Sequence, residues 1–265
     1  MNYSAEVCKK LEEGVAKVFN DQGYKDYLRT ANKFHNYSAQ NVMLIQMQMP
    51  NATLVAGFSK WKSMDRYVKK GEKAIKILAP IPHKVRDEND QEKVLYTSFR
   101  AVNVFDVSQT DGKELPSSNA FIKPLTGDVV DYDNLVMKLK KATAVPIRFD
   151  KIDTNGYYHL KDKEIVINEG MSKAQTIKTM VHEIAHSILH DKEDGTSKDS
   201  KKDDREVQAE SVAFQVCDYL GIDTSDYSFG YIAGWSQSRS LKELLASMGI
   251  ITKTAYQIIE AVERG

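Results

Sequence analysis

The sequence predicts an α+β protein of two domains, and three observations predict it. Apolar periodicity is helical up to about residue 49, strand-like from 74 to 107, and mixed thereafter. The stretch from Asp111 to Asp128 holds two prolines, two glycines and two serines, the composition of a boundary. Charge also divides there: residues 1–125 carry 19 Lys and Arg against 14 Asp and Glu, and residues 126–265 carry 18 against 23. The domains are accordingly read as residues 1–120 and 121–265.

The elements follow in order. Residues 4–34 read as helical, with Val7, Leu11, Val15, Val18 and Phe19 on one face and Tyr27, Ala31 and Phe34 further on. A third apolar helix starts near Tyr37–Ser38 and ends before Pro50, because a proline pushes the preceding residue out of helical geometry. Ala74–Leu78 reads as a strand that exits at Pro80 and Pro82, and Val94–Ser98 and Arg100–Val107 as two more strands. Beyond the boundary come a helix at 133–142 and strands near 147–149, 156–160 and 164–168. Ser172 with Gln175 marks the start of a helix reaching about His190. Residues 191–204 contain no large apolar side chain and read as a mobile surface loop. The next helix runs from about Arg205 to Leu220 and stops at Gly221.

Bulk properties exclude several classes. The 265 residues suffice for a sizeable core, and a composition 42% hydrophobic and 28% charged is that of a soluble globular chain. No apolar run approaches a spanning helix, and the N-terminal residues carry acids and lysines where a signal peptide needs an apolar core. Cys8 and Cys217 are too few for a disulfide framework. The chain reads as cytoplasmic, with no membrane partner and reduced thiols.

The sharpest chemical pattern is His182-Glu183-Ile184-Ala185-His186. Residues four apart on a helix differ by about 40° around its axis, so the two imidazoles project side by side and can take adjacent corners of a Zn2+ site. Glu183 lies at the edge of that face, where a carboxylate can act as general base. The apolar residues around the motif (Ile177, Met180, Val181, Ile184, Ala185) make stray polar groups there costly. His190 lies one turn on, where rotation and rise carry it off the metal; it reads as a partly exposed helix-end residue. Leu189 and Lys192 stand where the metzincin pattern needs glycine and histidine. The third ligand is sought in the helix after the polar loop. Glu206 sits nearer the edge of its apolar stripe (Ala209, Val212, Ala213, Val216) than Glu210, so Glu206 is read as ligand. Glu210 is then the outer acceptor that orients a ligand histidine. Catalysis would also need an oxyanion donor; Tyr231 is the choice, with Tyr227 an equal alternative.

The N-terminal half carries a different signal. Between Lys60 and Arg86 nine Lys and Arg face two acids, Asp65 and Glu72. Phe34, Tyr37, Phe58, Trp61 and Tyr67 interleave with Lys60, Lys62, Arg66, Lys69, Lys70 and Lys73. Cations that track phosphates and aromatic faces that stack on unpaired bases make a single-stranded nucleic-acid surface. Gly71 suggests a turn where backbone approaches a phosphate. Asn41 and Ser38 read as either helix-cap residues or phosphate contacts.

These residues resemble two known families. HEIAHSILH, a polar insert, and a helix with Glu206, Ala209 and Ala213 resemble the ImmA/IrrE-type zincin domain. NYSAQNVMLI (36–45), GFSKWKSMDRYVKKGEKAIKILAPI (57–81) and VFDVSQTDG (104–112) resemble the N-terminal domain of ArdC-type antirestriction proteins, and YIAGW (231–235) fits the same architecture. The resemblance spans nearly the whole chain. It implies a single-stranded-DNA-binding domain fused to a zinc metallopeptidase-like domain, usually encoded on mobile elements, with a protein as possible substrate.

Overall fold

A computed structural model of the chain describes residues 5–86, 92–115, 131–191 and 202–265. It is a mixed α+β protein of two compact units. The first comprises residues 1–19 and 36–116, and the second residues 20–35 and 117–265.

In the first unit, helix α3 (Ala39–Gln48) packs on a sheet of order β1-β4-β3, and helix α1 (Ala5–Val18) packs on α3. Here β1 is Val55–Ala56, β3 is Ile75–Arg86 and β4 is Glu92–Asp106. Two sequence expectations change. The strand that should leave at Pro80 and Pro82 continues as β3: Pro80 stays in register opposite Phe99, and the register shifts at Pro82, between Ile81 and His83. The two strands expected over 94–107 are one long strand, β4, antiparallel to β3. A short helix, α4 (Phe58–Ser63), leads into a ribbon of β2 (Arg66–Val68) and β5 (Thr110–Gly112). Gly112 has φ +125, and a Cβ there would lie 2.3 Å from the Asp65 carbonyl oxygen, so no other residue fits this ribbon.

The hub of this unit is Asp106. Its carboxylate accepts the backbone N–H groups of Thr53 (2.7 Å), Leu54 (2.9 Å) and Ser108 (3.0 Å), and the Ser108 hydroxyl. Burial alone would push this carboxyl up; those N–H groups outweigh it and hold it below the usual range. Gln109 completes a reciprocal cap through its side-chain oxygen on the Asp106 N–H. Its amide nitrogen reaches Glu72 (3.0 Å) and the Lys73 carbonyl (2.9 Å). The VFDVSQTDG stretch thus ties β1, β4 and the 69–73 turn together.

The second unit holds α2 (Asp21–Lys33), α5 (Tyr132–Lys141), a sheet of order β6-β8-β7, and helices α6 (Lys173–Leu189), α7 (Lys202–Tyr219), α8 (Ile232–Gln237) and α9 (Leu241–Arg264). Strands β6 (Ile147–Asp150) and β8 (Glu164–Asn168) are parallel, and β7 (Gly156–His159) pairs antiparallel at the edge. Ile165, Val166 and Ile167 of central β8 are buried, as expected for a strand covered on both faces. Residues 20–35 fall here rather than in the N-terminal domain read from the sequence, and the reason is local. The Tyr24 hydroxyl bonds Ser211 of α7 at 2.9 Å, Arg29 pairs with Asp218 at 3.2 Å, and Tyr27 and Leu28 are buried. Helix α7 begins at Lys202, three residues before the expected Arg205. Residues 192–201, most of the polar loop, and 116–130, most of the boundary segment, lie outside the described residues. No described helix is long and apolar enough to cross a membrane.

Asp106→Ala should lower stability by about 3 kcal/mol, because three backbone N–H groups lose a charged, buried acceptor. A lowered carboxyl contributes stability above the ordinary Asp value, near 4, and loses it as pH falls through the folded value. The difference between wild type and Asp106→Asn in urea titrations should therefore shrink on acidification below about pH 4. A difference that is constant with pH would contradict the hub.

Candidate metal centre

Helices α6 and α7 pack against each other, and Ile177, Val181, Ile184, Val207, Ala209 and Val212 on them are buried. That packing turns His182 and His186 of α6 toward Glu206 of α7. The two Nε2 atoms lie 3.0 Å apart. Glu206 places one oxygen 3.6 Å from His182 Nε2 and the other 3.7 Å from His186 Nε2. Three ligands about 2.0–2.2 Å from one tetrahedral ion would be separated by roughly 3.3 Å, so the donor atoms already stand near that spacing. Among the described residues this is the group of His, Cys, Asp and Glu whose ligand atoms converge, all within 4.8 Å.

The outer contacts are equally specific. Glu210 reaches His182 Nδ1 at 3.2 Å, the position expected of an orienting acceptor. His186 Nδ1 lies 3.0 Å from Nδ1 of His190. The His190 Nε2 lies 3.1 Å from Gln208 Oε1, and the Gln208 amide donates to the Ser247 hydroxyl at 3.1 Å. His190 is therefore buried inside the site rather than partly exposed. The signal was present in the sequence: it stands from His186 as His186 stands from His182.

Electrostatics follow from these contacts. Burial works to lower the His182 value, but hydrogen bonds to Glu206 and Glu210 outweigh it and push it up to about 9. Hydrogen bonds from His182 and His186 hold Glu206 well below the carboxylate range. A carboxylate kept charged between two converging imidazoles is a cation site in its electrostatics as well as its geometry. Glu183 is buried beside them. Burial raises its carboxyl, against the two histidines and the Tyr158 backbone N–H, which bonds it from β7.

A cleft of about 260 Å³ opens here, lined by His182, Glu183, Glu210, Gly156, Lys178 and Tyr227 among others. A Cβ on Gly156 would lie 2.7 Å from Thr179, so glycine lets edge strand β7 approach α6 closely beside the site. Lys178 pairs with Asp226 at 3.4 Å and lies over the Tyr227 ring. The Tyr227 hydroxyl is buried against Cys217 Sγ at 3.8 Å. Tyr231 is exposed. Partial burial, then Glu210 and Glu206 among its neighbours, push its pKa up and keep the hydroxyl protonated. The YIAGW segment clamps α7 from behind: Trp235 donates to Asp204 at 2.7 Å, Arg239 pairs with the same carboxylate, and Glu206 follows two residues later.

The first unit sorts the nucleic-acid residues differently from the sequence reading. Trp61 is 0% exposed, and its indole N–H donates to the Phe105 carbonyl at 2.9 Å. It is a core residue, closed to a stacking base. Asn41 is also buried: its amide bonds both the N–H (2.8 Å) and the carbonyl (2.9 Å) of Leu78, fastening α3 to β3 and leaving no phosphate contact. The Tyr37 hydroxyl donates to the Val55 carbonyl. Arg66 donates to Thr110 and to the Lys113 carbonyl, bracing the ribbon, and Lys69 donates to the Ser108 carbonyl. What remains outward are Lys60, Lys62, Lys70 and Lys73, with Phe58 and Tyr67 each 57% exposed.

Comparison with known proteins agrees with both units. Residues 2–105 match the family model of the N-terminal domain of anti-restriction factor ArdC, and residues 140–217 that of the IrrE N-terminal-like domain. An uncharacterized protein of Bacillus anthracis is 25% identical over 304 residues, covering 98% of this chain. This chain spans about half of that relative's length, 51%. The metal-free crystal structure of the antirestriction ArdC protein from the R388 plasmid superposes with a TM-score of 0.59 at 22% identity, covering 86% of each chain. Its Mn(II)-bound structure gives 0.52 at 21% identity, covering 86% of this chain and 83% of that one. These likenesses show the fold. The two family models, in that order on one chain, support an ArdC-type two-domain architecture.

Proposed function

We propose that this chain is an antirestriction-type protein of mobile elements that binds single-stranded DNA through its first unit and carries a zinc metallopeptidase-like site in its second. The observation that carries the second part is the convergence of His182, His186 and Glu206 with Glu183 beside them. Two imidazoles and one carboxylate are the donor set of a hydrolytic zinc centre. The plasmid ArdC protein crystallised with Mn(II) supports a divalent cation in this fold; imidazole-rich sites favour zinc over manganese. Zinc held by these residues would supply Lewis acidity for a carbonyl and for water. Glu183, buried and fixed by the Tyr158 N–H, takes the proton of the attacking water and returns it to the leaving amine. Tyr231, exposed and in the field of Glu210 and Glu206, supplies the oxyanion donor.

For the first unit the support is the outward set Lys60, Lys62, Lys70 and Lys73 with Phe58 and Tyr67. Phosphates meet exposed ammonium groups, and Phe58 and Tyr67, in place of Trp61, offer ring faces to unpaired bases.

Three experiments test this reading. Elemental analysis and chelator competition should find one zinc per chain. Glu206→Gln should lose it by more than a hundredfold in affinity, and Glu210→Gln by about 10–100-fold. The reverse order would exchange the two roles.

Glu183→Gln should keep its zinc, melting temperature and strand affinity. Peptide hydrolysis should fall by about 10²–10⁴-fold. Protection of DNA from a restriction nuclease that survives in this variant would make strand coating the protective mechanism.

Replacing Lys60, Lys62, Lys70 and Lys73 together by Ala in the full chain should weaken single-strand binding at all sequences. The slope of log affinity against log salt should flatten by about 2–3. An unchanged slope, or a preference for duplex, would remove the DNA surface from this face.

A further inference from the structure

We infer that His190 is a positioning residue for the metal centre, acting through a relay His186–His190–Gln208–Ser247 that forces the Nε2 lone pair of His186 toward the ion. The inference rests on the zinc reading above.

The contact of His186 Nδ1 with His190 Nδ1, at 3.0 Å, is between two imidazole nitrogens. One must carry a hydrogen and the other a lone pair. Which is which is decided at the far end. Gln208 presents its carbonyl oxygen to His190 Nε2 at 3.1 Å and its amide nitrogen to Ser247 Oγ at 3.1 Å. A carbonyl oxygen only accepts, so His190 carries its hydrogen on Nε2. Its Nδ1 is then a lone pair, and His186 must donate from Nδ1. That leaves His186 Nε2 unprotonated, facing His182 Nε2 at 3.0 Å. Glu210 accepts at His182 Nδ1, so Nε2 is the nitrogen of His182 that faces the ion and gives up its hydrogen when the ion binds. Both ligand imidazoles are thus set by different outer acceptors, one a carboxylate and one a neutral ring.

The direction of the relay matters chemically. Were it reversed, His190 would donate from Nδ1 and His186 would hold its hydrogen on Nε2, the atom the metal needs. His190 is itself kept off the ion, since its two nitrogens are engaged by His186 and Gln208. Outer partners of this kind fix ring orientation and tautomer, and their loss commonly lowers metal affinity by 10–100-fold. An asparagine side chain places an acceptor oxygen near the Nδ1 position of histidine; leucine fills the space with no acceptor.

The test uses the full-length protein labelled with 15N-histidine. Its six histidines give a spectrum that can be assigned by substitution. In the metal-free wild type, long-range 1H–15N correlations should show His186 protonated at Nδ1 and His190 at Nε2. Zinc affinity, measured against a chromophoric chelator, should fall about 10–100-fold in His190→Leu and Gln208→Leu and recover to within a few-fold of wild type in His190→Asn. Thermal melts identify any variant that fails to fold, and the Asn rescue separates positioning from packing. The opposite tautomers, or a His190→Leu variant that binds zinc as tightly as wild type, would overturn the inference. Wild-type protein with the stated tautomers that takes up no zinc would instead overturn the metal reading, and the relay would stand as a structural one only.

Discussion

Two imidazole nitrogens 3.0 Å apart beside a carboxylate, in the seam of an apolar helix pair, form an arrangement that does not hold itself together. Each group is partly desolvated, and each needs a partner with the right donor or acceptor. The second unit supplies them one element at a time. Helix α7 brings Glu210 to His182. Helix α9 brings Ser247 to the end of the His186 relay. Strand β7, admitted close to α6 by Gly156, gives its Tyr158 N–H to Glu183. Helix α8 and Arg239 hold Asp204, one half-turn from Glu206. Removing any of these elements would leave a buried polar group of the site unpaired. The packing of α2, α5 and the sheet exists to hold those elements at their distances.

The first unit is organised around a comparable constraint with an opposite outcome. Asp106 gathers three backbone N–H groups inward, and Gln109 beside it reaches the Lys73 carbonyl. The Lys69 N–H bonds the Gln109 carbonyl at 3.0 Å. The turn that presents Lys70 and Lys73 is therefore fixed from below by a network centred on buried Asp106 and Gln109. Trp61 does the same for α4, filling the core while Lys60 and Lys62 on either side of it face out.

Much of this was legible in the sequence, and the parts that were not share a cause. The helices of the metal centre announce themselves by apolar spacing, and a histidine pair four apart leaves little freedom in where the rings point. The strand–strand–helix order of the second unit follows from local pattern. The placement of residues 20–35 does not, because the partners of Tyr24 and Arg29 lie 187 and 189 residues away, and periodicity carries no information at that range. Trp61 and Asn41 illustrate the same limit within one unit. An aromatic among lysines is compatible with stacking or with core, and only the carbonyl of Phe105 decides. An asparagine in an apolar helix is compatible with a phosphate contact, and only the backbone of Leu78 decides. The continuity of β4 was hidden by Ser98 and Arg100, which interrupt the apolar pattern without interrupting the ladder. His190 differs: its spacing is readable, but spacing tests a histidine only as a ligand and says nothing of a ring nitrogen that contacts a ligand from behind.

The two units show why a quoted motif and a contact surface need not coincide. A polyanionic strand is bound by charges that stay hydrated until it arrives, so the residues suited to meet it are exposed lysines with little else to do. Two of the recognisable stretches of the first unit, NYSAQNVMLI and VFDVSQTDG, build the inward network beneath them, while the third, residues 57–81, carries the outward lysines together with buried Trp61. A metal ion has the opposite requirement. Its ligands must be partly desolvated, correctly protonated and aimed before it binds, so the functional residues are themselves the inward network. In that unit the motif and the proposed chemistry coincide, and the roles proposed for His182, Glu183 and His186 follow from their spacing. A pattern of residues points directly to function where function needs burial. Where function needs exposure, one pattern holds scaffold and surface side by side, as Trp61 stands between Lys60 and Lys62, and burial sorts one from the other.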